Sequence, residues 1–119
     1  MYRTPLPGGY SFDSNGGWYG HFRDPSGIWL ADHFGIQNDG SERWCNEFGW
    51  SGTVVVCALE LVAPGEENPV SFGYYVLDTK RREVSHAPDL KSLSALLKRL
   101  SVPSVPSLTT VHPTTETRR

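Results

Sequence analysis

Two cysteines and one histidine stand at equal intervals in the stretch HFGIQNDGSERWCNEFGWSGTVVVC, residues 33–57. His33, Cys45 and Cys57 follow one another at intervals of twelve residues, and a turn signal, NDG or GWSG, lies midway in each interval. If both signals mark hairpin turns, residues opposed across neighbouring strands have numbers with a constant sum, and the three side chains form one cross-strand ladder. A thiol beside an imidazole could then act as a nucleophile with a general base.

The reaction that this ladder would support is thiol-dependent hydrolysis. Cys45 would be the nucleophile, His33 the base and Glu47 the group that orients the imidazole. Neither a nucleophile elbow nor a Gly-rich oxyanion loop accompanies these residues in the sequence. We therefore expect no catalytic residues, and we keep a small thiol hydrolase that uses Cys45, His33 and Glu47 as an alternative.

The same residue types are also found in zinc sites. Structural zinc sites take their ligands from close pairs of residues, and the histidines and cysteines of this chain form no such pair. The sequence leaves open whether the two cysteines are free, bridged or metal-bound. We expect no cofactor, and no metal at the four residues of suitable type, which are His21, His33, Cys45 and Cys57.

Tryptophans beside turns and carboxylates are the second group of candidate functional residues. Trp18 and Trp50 lie next to turn signals. The predicted register puts Trp29 on the sheet face that also carries an arginine and a glutamate. Aromatic residues in such settings are typical of protein-binding hot spots, and sugar-binding platforms use similar stacking. The competing interpretation is that the rings only fill the ends of a small sheet. The candidate partner-binding residues are Trp18, Trp29, Asp39, Glu42, Arg43, Glu47 and Trp50.

The elements that must position these residues are short strands. Runs rich in aromatic and β-branched residues alternate with turn signals, which predicts an antiparallel meander. The run TVVVCALELV is apolar on both faces and predicts a central strand, with GYYVLD as its neighbour. The same register assigns Trp44 to the face that a helix would cover. The predicted strands lie near residues 9–13, 18–23, 27–34, 41–48, 53–62, 70–78 and 82–86.

One helix is predicted near the end of the chain. Leucines recur at steps of three and four residues from Leu90 to Leu100, with Asp89 as the N-cap. The segment that follows is rich in Pro, Ser and Thr and has no apolar periodicity. We therefore predict an α+β domain over residues 1–101, in which an antiparallel meander of five to seven strands carries the helix on one face. A flexible tail is predicted over residues 102–119.

Acidic and basic residues are concentrated in different parts of the chain, although the net charge is only −2. Residues 1–67 carry three basic and nine acidic side chains, whereas residues 80–119 carry eight basic and three acidic ones. The basic end has no interleaved aromatic residues, which argues against nucleic-acid binding. The acidic and aromatic first half suits a protein partner with a basic surface.

The cellular location is predicted from two further observations. The chain has two cysteines, which are too few for a disulfide framework. It shows neither a signal-peptide pattern nor a run of about 18 apolar residues, so we expect a cytoplasmic protein without a membrane span.

Together these patterns predict a small non-catalytic protein-binding module. An inhibitor or a toxin-neutralising, immunity-type protein is the version that analogy with other small acidic proteins suggests. The two alternatives are the thiol hydrolase described above and a carbohydrate-binding module that uses the tryptophans beside turns.

Overall fold

The fold is built from short strands and one helix, as a computed structural model of the protein shows for residues 2–14 and 20–110. The helix α1 is Leu90–Arg99, and a single 3-10 turn spans Pro7–Gly9. An antiparallel sheet with one helix confirms the predicted α+β fold class. The strands are β1 Tyr2–Pro5, β2 Ser11–Ser14, β3 Gly20–Arg23, β4 Gly35–Ile36, β5 Glu42–Ser51, β6 Val54–Val62, β7 Val70–Asp78, β8 Glu83–Ala87 and β9 Thr109–Thr110.

Seven of the strands in the described residues follow one another in the order β1-β2-β3-β5-β6-β7-β8, with antiparallel pairing throughout. The two-residue strands β4 and β9 lie off this path and share one edge of β5 with β3. Strand β6 runs between β5 and β7, which confirms TVVVCALELV as a central strand and GYYVLD as its neighbour. The outermost strands of the path are β1 and β8.

The residues on one face of β5, β6 and β7 form a cluster that we call the inner core. The sheet curls over this face, because rings from β2 and β3 contact a ring from β5. Phe12 stacks on Phe48 with ring centroids 4.3 Å apart, and Phe22 meets Phe48 at a right angle at 6.0 Å. Burial of one such side chain contributes about 1.5–3 kcal/mol. The buried members of the inner core are Leu6, Tyr10, Phe12, Phe22, Phe34, Cys45, Phe48, Val55, Cys57, Leu59, Tyr75 and Leu77.

The opposite face of β6 and β7 packs against α1 in a cluster that we call the helix core. Strand β6 contributes to both cores because its side chains alternate: Val54 and Val56 point to the helix, whereas Val55 and Cys57 point to the inner core. This explains why the strand is apolar on both faces. The buried members of the helix core are Val54, Val56, Val76, Ala87, Leu93, Leu97 and Val102.

Helix α1 is capped at both ends. The Asp89 carboxylate accepts the N–H of Ser92 at 2.8 Å, which confirms the predicted N-cap. At the other end the N–H of Val102 donates to the carbonyl oxygen of Leu97 at 2.8 Å, and Ser101 adopts a left-handed backbone with φ 65°. No helix among the residues described is long and apolar enough to cross a membrane.

The first part of the predicted tail packs against the sheet. Val102 is buried, and Val105 and Leu108 pack against the helix core before β9 pairs with β5. These residues recur every three positions, which is the period of an extended Pro-rich chain and of neither a helix nor a strand. The packed chain therefore continues past the boundary predicted at residue 101. Residues 111–119 lie outside the described part.

The predicted strand over residues 27–34 is wrong. Trp29 makes a single bridge with β3, and the chain then turns. The N–H groups of His33 and Phe34 both donate to the carbonyl oxygen of Leu30, at 3.1 and 3.2 Å. This turn sends Phe34 into the inner core, where it is 2% exposed. Burial of the Phe34 ring thus favours a turn that the local sequence does not predict.

Candidate functional site

The first hairpin of the opening stretch has the predicted centre but a shorter strand. Strands β4 and β5 pair about Asp39, as the NDG signal predicts. However, β4 begins only at Gly35, so His33 lies in the preceding turn. Cys45 pairs instead with Gly20 of β3. The predicted pairing of His33 with Cys45 is therefore wrong.

The second hairpin is shifted from its predicted position. Its turn lies at residues 52–53 instead of being centred on Ser51, and a β-bulge after Cys45 adds a second shift. Cys57 consequently pairs with Phe48, and the predicted pairing of the two cysteines is wrong. Both thiols nevertheless point into the inner core.

The two thiols are free and buried, with exposed fractions of 0% for Cys45 and 1% for Cys57. The Cys45 thiol donates to the carbonyl oxygen of Glu47 at 3.2 Å, and the Cys57 thiol donates to that of Ala58 at 3.6 Å. Burial raises the pKa of Cys45, and the adjacent Cys57 thiol raises it further. A reactive cysteine needs a lowered pKa and access to solvent, so this environment suits packing rather than nucleophilic attack.

His33 contacts an aromatic ring of the inner core. Its ring meets the ring of Tyr75 edge-on, with centroids 5.3 Å apart. Burial lowers the pKa of His33, and the nearby Asp32 carboxylate partly offsets this effect. In the part of the chain that the structure describes, no hydrogen bond joins His33 to Cys45. The same part contains no group of three or more His, Cys, Asp or Glu residues that could hold a metal.

A second group of residues forms what we call the tryptophan patch: His21, Trp29, Gly35, Glu42 and Trp44. The ring of Trp29 packs against that of His21 with centroids 4.3 Å apart and the ring planes tilted by 33°. Gly35, with φ +84°, lies between the two indoles, since a Cβ there would be 3.0 Å from Trp29 Cζ2 and 3.8 Å from Trp44 Cη2. The Nε1–H of Trp44 donates to the Glu42 carboxylate at 3.0 Å. Two indoles and one carboxylate thus share a surface.

The strands beneath this patch are held together by Asp13, which pairs with His21 in the register of β2 and β3. Arg3 donates to its carboxylate from Nε at 2.9 Å and from Nη2 at 3.0 Å, and Arg23 donates from Nε at 2.6 Å. These hydrogen bonds lower the pKa of Asp13 to about 2, and those from Arg3 have the largest effect. Arg23 also donates from Nη1 to the Gly27 carbonyl at 2.8 Å, which anchors the segment that carries Trp29.

A cleft of about 420 Å³ opens between residues 28–33 and strands β7 and β8. Trp29 is part of its lining, so we call it the Trp29 cleft. Ile28 and Trp29 keep 63% and 37% of their surfaces exposed there. Trp29 therefore lies between the tryptophan patch and this cleft. The rest of the lining is mainly apolar, from Tyr10, Leu30, Leu77 and Val84, with Asp32, His33 and Arg82 as the polar groups.

Arg43 lies in different surroundings from Trp29. Its Nη1 donates to the hydroxyl of Tyr75, an inner-core residue, at 3.0 Å. Its guanidinium carbon is 5.0 Å from the ring centroid of Phe72, a cation–π arrangement. The buried Nε has no hydrogen-bond partner among the described residues. Arg43 thus faces the inner core rather than the tryptophan patch.

The remaining candidate residues are dispersed. The Asp39 carboxylate accepts the N–H and the hydroxyl of Ser41 at 2.9 and 2.6 Å, which is ordinary turn chemistry and lowers the pKa of Asp39. Glu47 lies where β9 joins β5. Trp50 is 43% exposed and stacks over an inner-core ring at 6.3 Å. Trp18 lies outside the described residues.

Sequence reasoning thus found two residues of the patch, Trp29 and Glu42, and missed the other three, His21, Gly35 and Trp44. Trp44 is half-buried in the patch instead of in the core, and His21 was considered only as a metal ligand. The alternation of a strand could have linked Trp44 to Glu42, two positions away on the same face. Comparisons with protein-family models, curated protein sequences and solved structures give no match to this chain.

Proposed function

We propose that the protein is a small non-catalytic protein-binding module whose main contact residue is Trp29. The observation that carries the proposal is the position of this indole between two surfaces, with the tryptophan patch on one side and the Trp29 cleft on the other. Tryptophans that border a pocket and are backed by other side chains are typical of binding hot spots.

The exposure and the support of Trp29 both favour binding. Trp29 and Ile28 are neighbouring large apolar side chains at the surface, and covering them would contribute about 25 cal/mol per Å² of apolar area removed from water. The indole is already held by ring contact with His21 and by contact with Gly35. Binding would therefore cost little additional side-chain entropy.

Charged groups around Trp29 would give the contact specificity. Glu42 and Asp32 lie on its two sides, and basic groups of a partner opposite them would suit the acidic first half of the chain. Inhibition of an enzyme or neutralisation of a toxin is one form that such binding could take. The free thiols of Cys45 and Cys57 support a reducing compartment such as the cytoplasm as the location.

Affinity capture with matched variants tests the proposal. The wild type, Trp29→Ala and Ile28→Ser proteins serve as bait, and a captured protein is identified, purified and titrated by calorimetry. We expect Trp29→Ala to raise the Kd of the purified complex at least about thirtyfold, because a hot-spot tryptophan contributes about 2 kcal/mol or more.

The control variants are Trp50→Ala and Val70→Ser, which remove apolar side chains of similar exposure, 43% and 56%, outside the patch and the cleft. We expect them to change the Kd by less than about threefold. A larger effect of Trp50→Ala than of Trp29→Ala would show that the proposal is wrong. Saturable binding of a glycan that changes Trp29 fluorescence, with no protein partner retained, would favour the carbohydrate-binding alternative.

A further inference from the structure

We infer that the edge strand β8 binds an extended, acidic segment of the partner, which pairs with β8 as an additional strand of the sheet. The inference rests on the proposed protein-binding function and adds to it the chemistry of the partner and the manner of its binding.

Strand β8 is an open edge of the sheet. It pairs with β7 over its whole length without a register shift, and the described residues supply no backbone hydrogen bond to its outer side. Glu83, Ser85 and His86 are exposed. Such an edge presents unpaired N–H and C=O groups, which are the groups that an added strand uses.

The other edge strand of the path, β1, is protected in ways that β8 is not. Pro5 has no N–H to donate, and the charged side chain of Arg3 stands on the strand, engaged with Asp13. Proline and charged side chains are common means of blocking an edge. In contrast, β8 contains neither proline, lysine nor arginine and has no bulge, and its one carboxylate, Glu83, stands at its first position. The two edges are therefore not equivalent as places for an added strand.

A cleft lies on each face of β8. Val84 lines the Trp29 cleft on the inner-core side. Glu83 and Ser85 line a second cleft of about 300 Å³ on the side of α1, together with Leu96 and Leu100 of the helix region. We call it the helix-side cleft. Side chains of a strand point alternately to opposite faces, so a strand added to β8 would extend its side chains toward both clefts in turn.

Two exposed arginines lie at the helix-side cleft. Arg81 and Arg99 line it and also line a neighbouring cleft of about 510 Å³, where Lys80 joins them. The Asp78 carboxylate accepts the N–H groups of Lys80 and Arg81 at 3.1 Å each, and its other oxygen lies 3.9 Å from Nε of Arg81, so it partly balances that arginine. Lys80 and Arg99 have no carboxylate within ion-pairing distance among the described residues, and Glu83 is the exposed acid in the described lining of the two clefts.

These charges identify the chemistry of the added strand. Acidic side chains at alternate positions would lie on the helix side, where Arg81 and Arg99 outnumber Glu83 as exposed charges. Apolar side chains at the positions between them would face Trp29, Leu77 and Val84. The first half of the chain suits basic groups on the partner, whereas β8 suits an acidic segment. The two expectations concern different parts of the partner's surface.

Titration with a synthetic peptide, followed by NMR, tests the inference. The probe is a soluble decapeptide of alternating valine and glutamate. The control peptide has the same side chains, with its alternate backbone nitrogens methylated so that it cannot form a ladder. We expect the probe to bind with a Kd below about 1 mM and to slow hydrogen exchange at alternate amides of β8, those that point away from β7. The methylated peptide should produce no such protection.

A charge-reversal variant tests the assignment of an acidic segment. Arg81→Glu combined with Arg99→Glu should weaken binding of the probe at least about tenfold at low salt, because attraction becomes repulsion. Lys91→Glu combined with Lys98→Glu is the matched control, since both lysines are exposed on α1 but line neither cleft. Circular dichroism establishes that the variants are folded before they are compared.

Three results would overturn the inference: no binding of the probe, binding without alternate protection in β8, or self-association of the protein through β8, which would make a second copy the occupant. Each of these results leaves the proposed function testable on its own, because the effect of Trp29→Ala is measured on the captured complex. A partner that binds without dependence on Trp29 would refute the proposed function, whatever β8 does.

Discussion

At the scale of single residues, burial decides how the two cysteines react. Burial and the adjacent thiol raise the pKa of Cys45, and Cys57 is equally inaccessible. We therefore expect both thiols to be alkylated slowly in the folded protein and rapidly in denaturant, as mass spectrometry of iodoacetamide-treated samples over a range of pH can measure. His33→Ala should leave the rate at Cys45 unchanged.

The alkylation experiment also decides the thiol hydrolase alternative. That alternative requires Cys45 to react with an apparent pKa well below the value of about 8.5 for a free thiol. It also requires this advantage to be lost in the His33→Ala variant, since the imidazole would be its source. Both findings together would contradict the packing role that we assign to the thiol.

Asp13 gives the protein a specific dependence of stability on pH. Its pKa is lowered from 3.8 to about 2 in the folded state by hydrogen bonds from Arg3 and Arg23. The unfolded chain therefore binds this proton more tightly than the folded protein does. The resulting stabilisation, about 2 kcal/mol, is fully present above pH about 5 and is lost as the pH falls through the unfolded value toward 2.

Urea unfolding at a series of pH values measures this effect. The free energy of unfolding of the wild type should fall between pH about 5 and 2 by about 2 kcal/mol more than that of Asp13→Asn, which has no proton to bind at this position. The variant should also be less stable at neutral pH, because two arginines lose their shared partner. Equal pH dependence in the two proteins would contradict the assignment of the low pKa to Asp13.

At the scale of elements, the end of α1 contains a residue that is poorly suited to its backbone. Ser101 has φ 65°, a conformation that glycine adopts without steric cost. Ser101→Gly should therefore raise the free energy of unfolding by about 0.5–1 kcal/mol in chemical denaturation. Ser94→Gly, at an exposed position inside the same helix, should lower it by about 0.5 kcal/mol. Destabilisation by both changes would show that the Ser101 side chain contributes more than its backbone strain costs.

The elements differ in how far their sequence predicts them. Helix α1 follows from its leucine spacing and the N-cap Asp89, both of which are local. The turn within residues 27–34 depends on burial of Phe34 in a core assembled by distant strands. No sequence pattern predicts the bulge after Cys45, yet it shifts the pairing of β5 and β6. The types of the site residues were therefore predictable, whereas the grouping of Trp44 with Trp29 was not.

At the scale of the whole molecule, the two cores share strands. Strands β6 and β7 carry side chains into both the inner core and the helix core. Loss of either core would expose the other face of the same strands, so we expect a single cooperative unfolding transition. Phe22→Ala in the inner core and Leu93→Ala in the helix core should each lower the free energy of unfolding by about 2–5 kcal/mol.

Urea unfolding followed by both tryptophan fluorescence and far-UV circular dichroism tests this cooperativity. Each variant should shift the midpoint seen by the two probes equally, because one transition controls both signals. If Leu93→Ala lowers the midpoint seen by circular dichroism and leaves that of fluorescence unchanged, α1 unfolds as a separate unit. The helix-side cleft beside β8 would then form only part of the time, and binding of an acidic strand there would have to include the free energy of docking the helix.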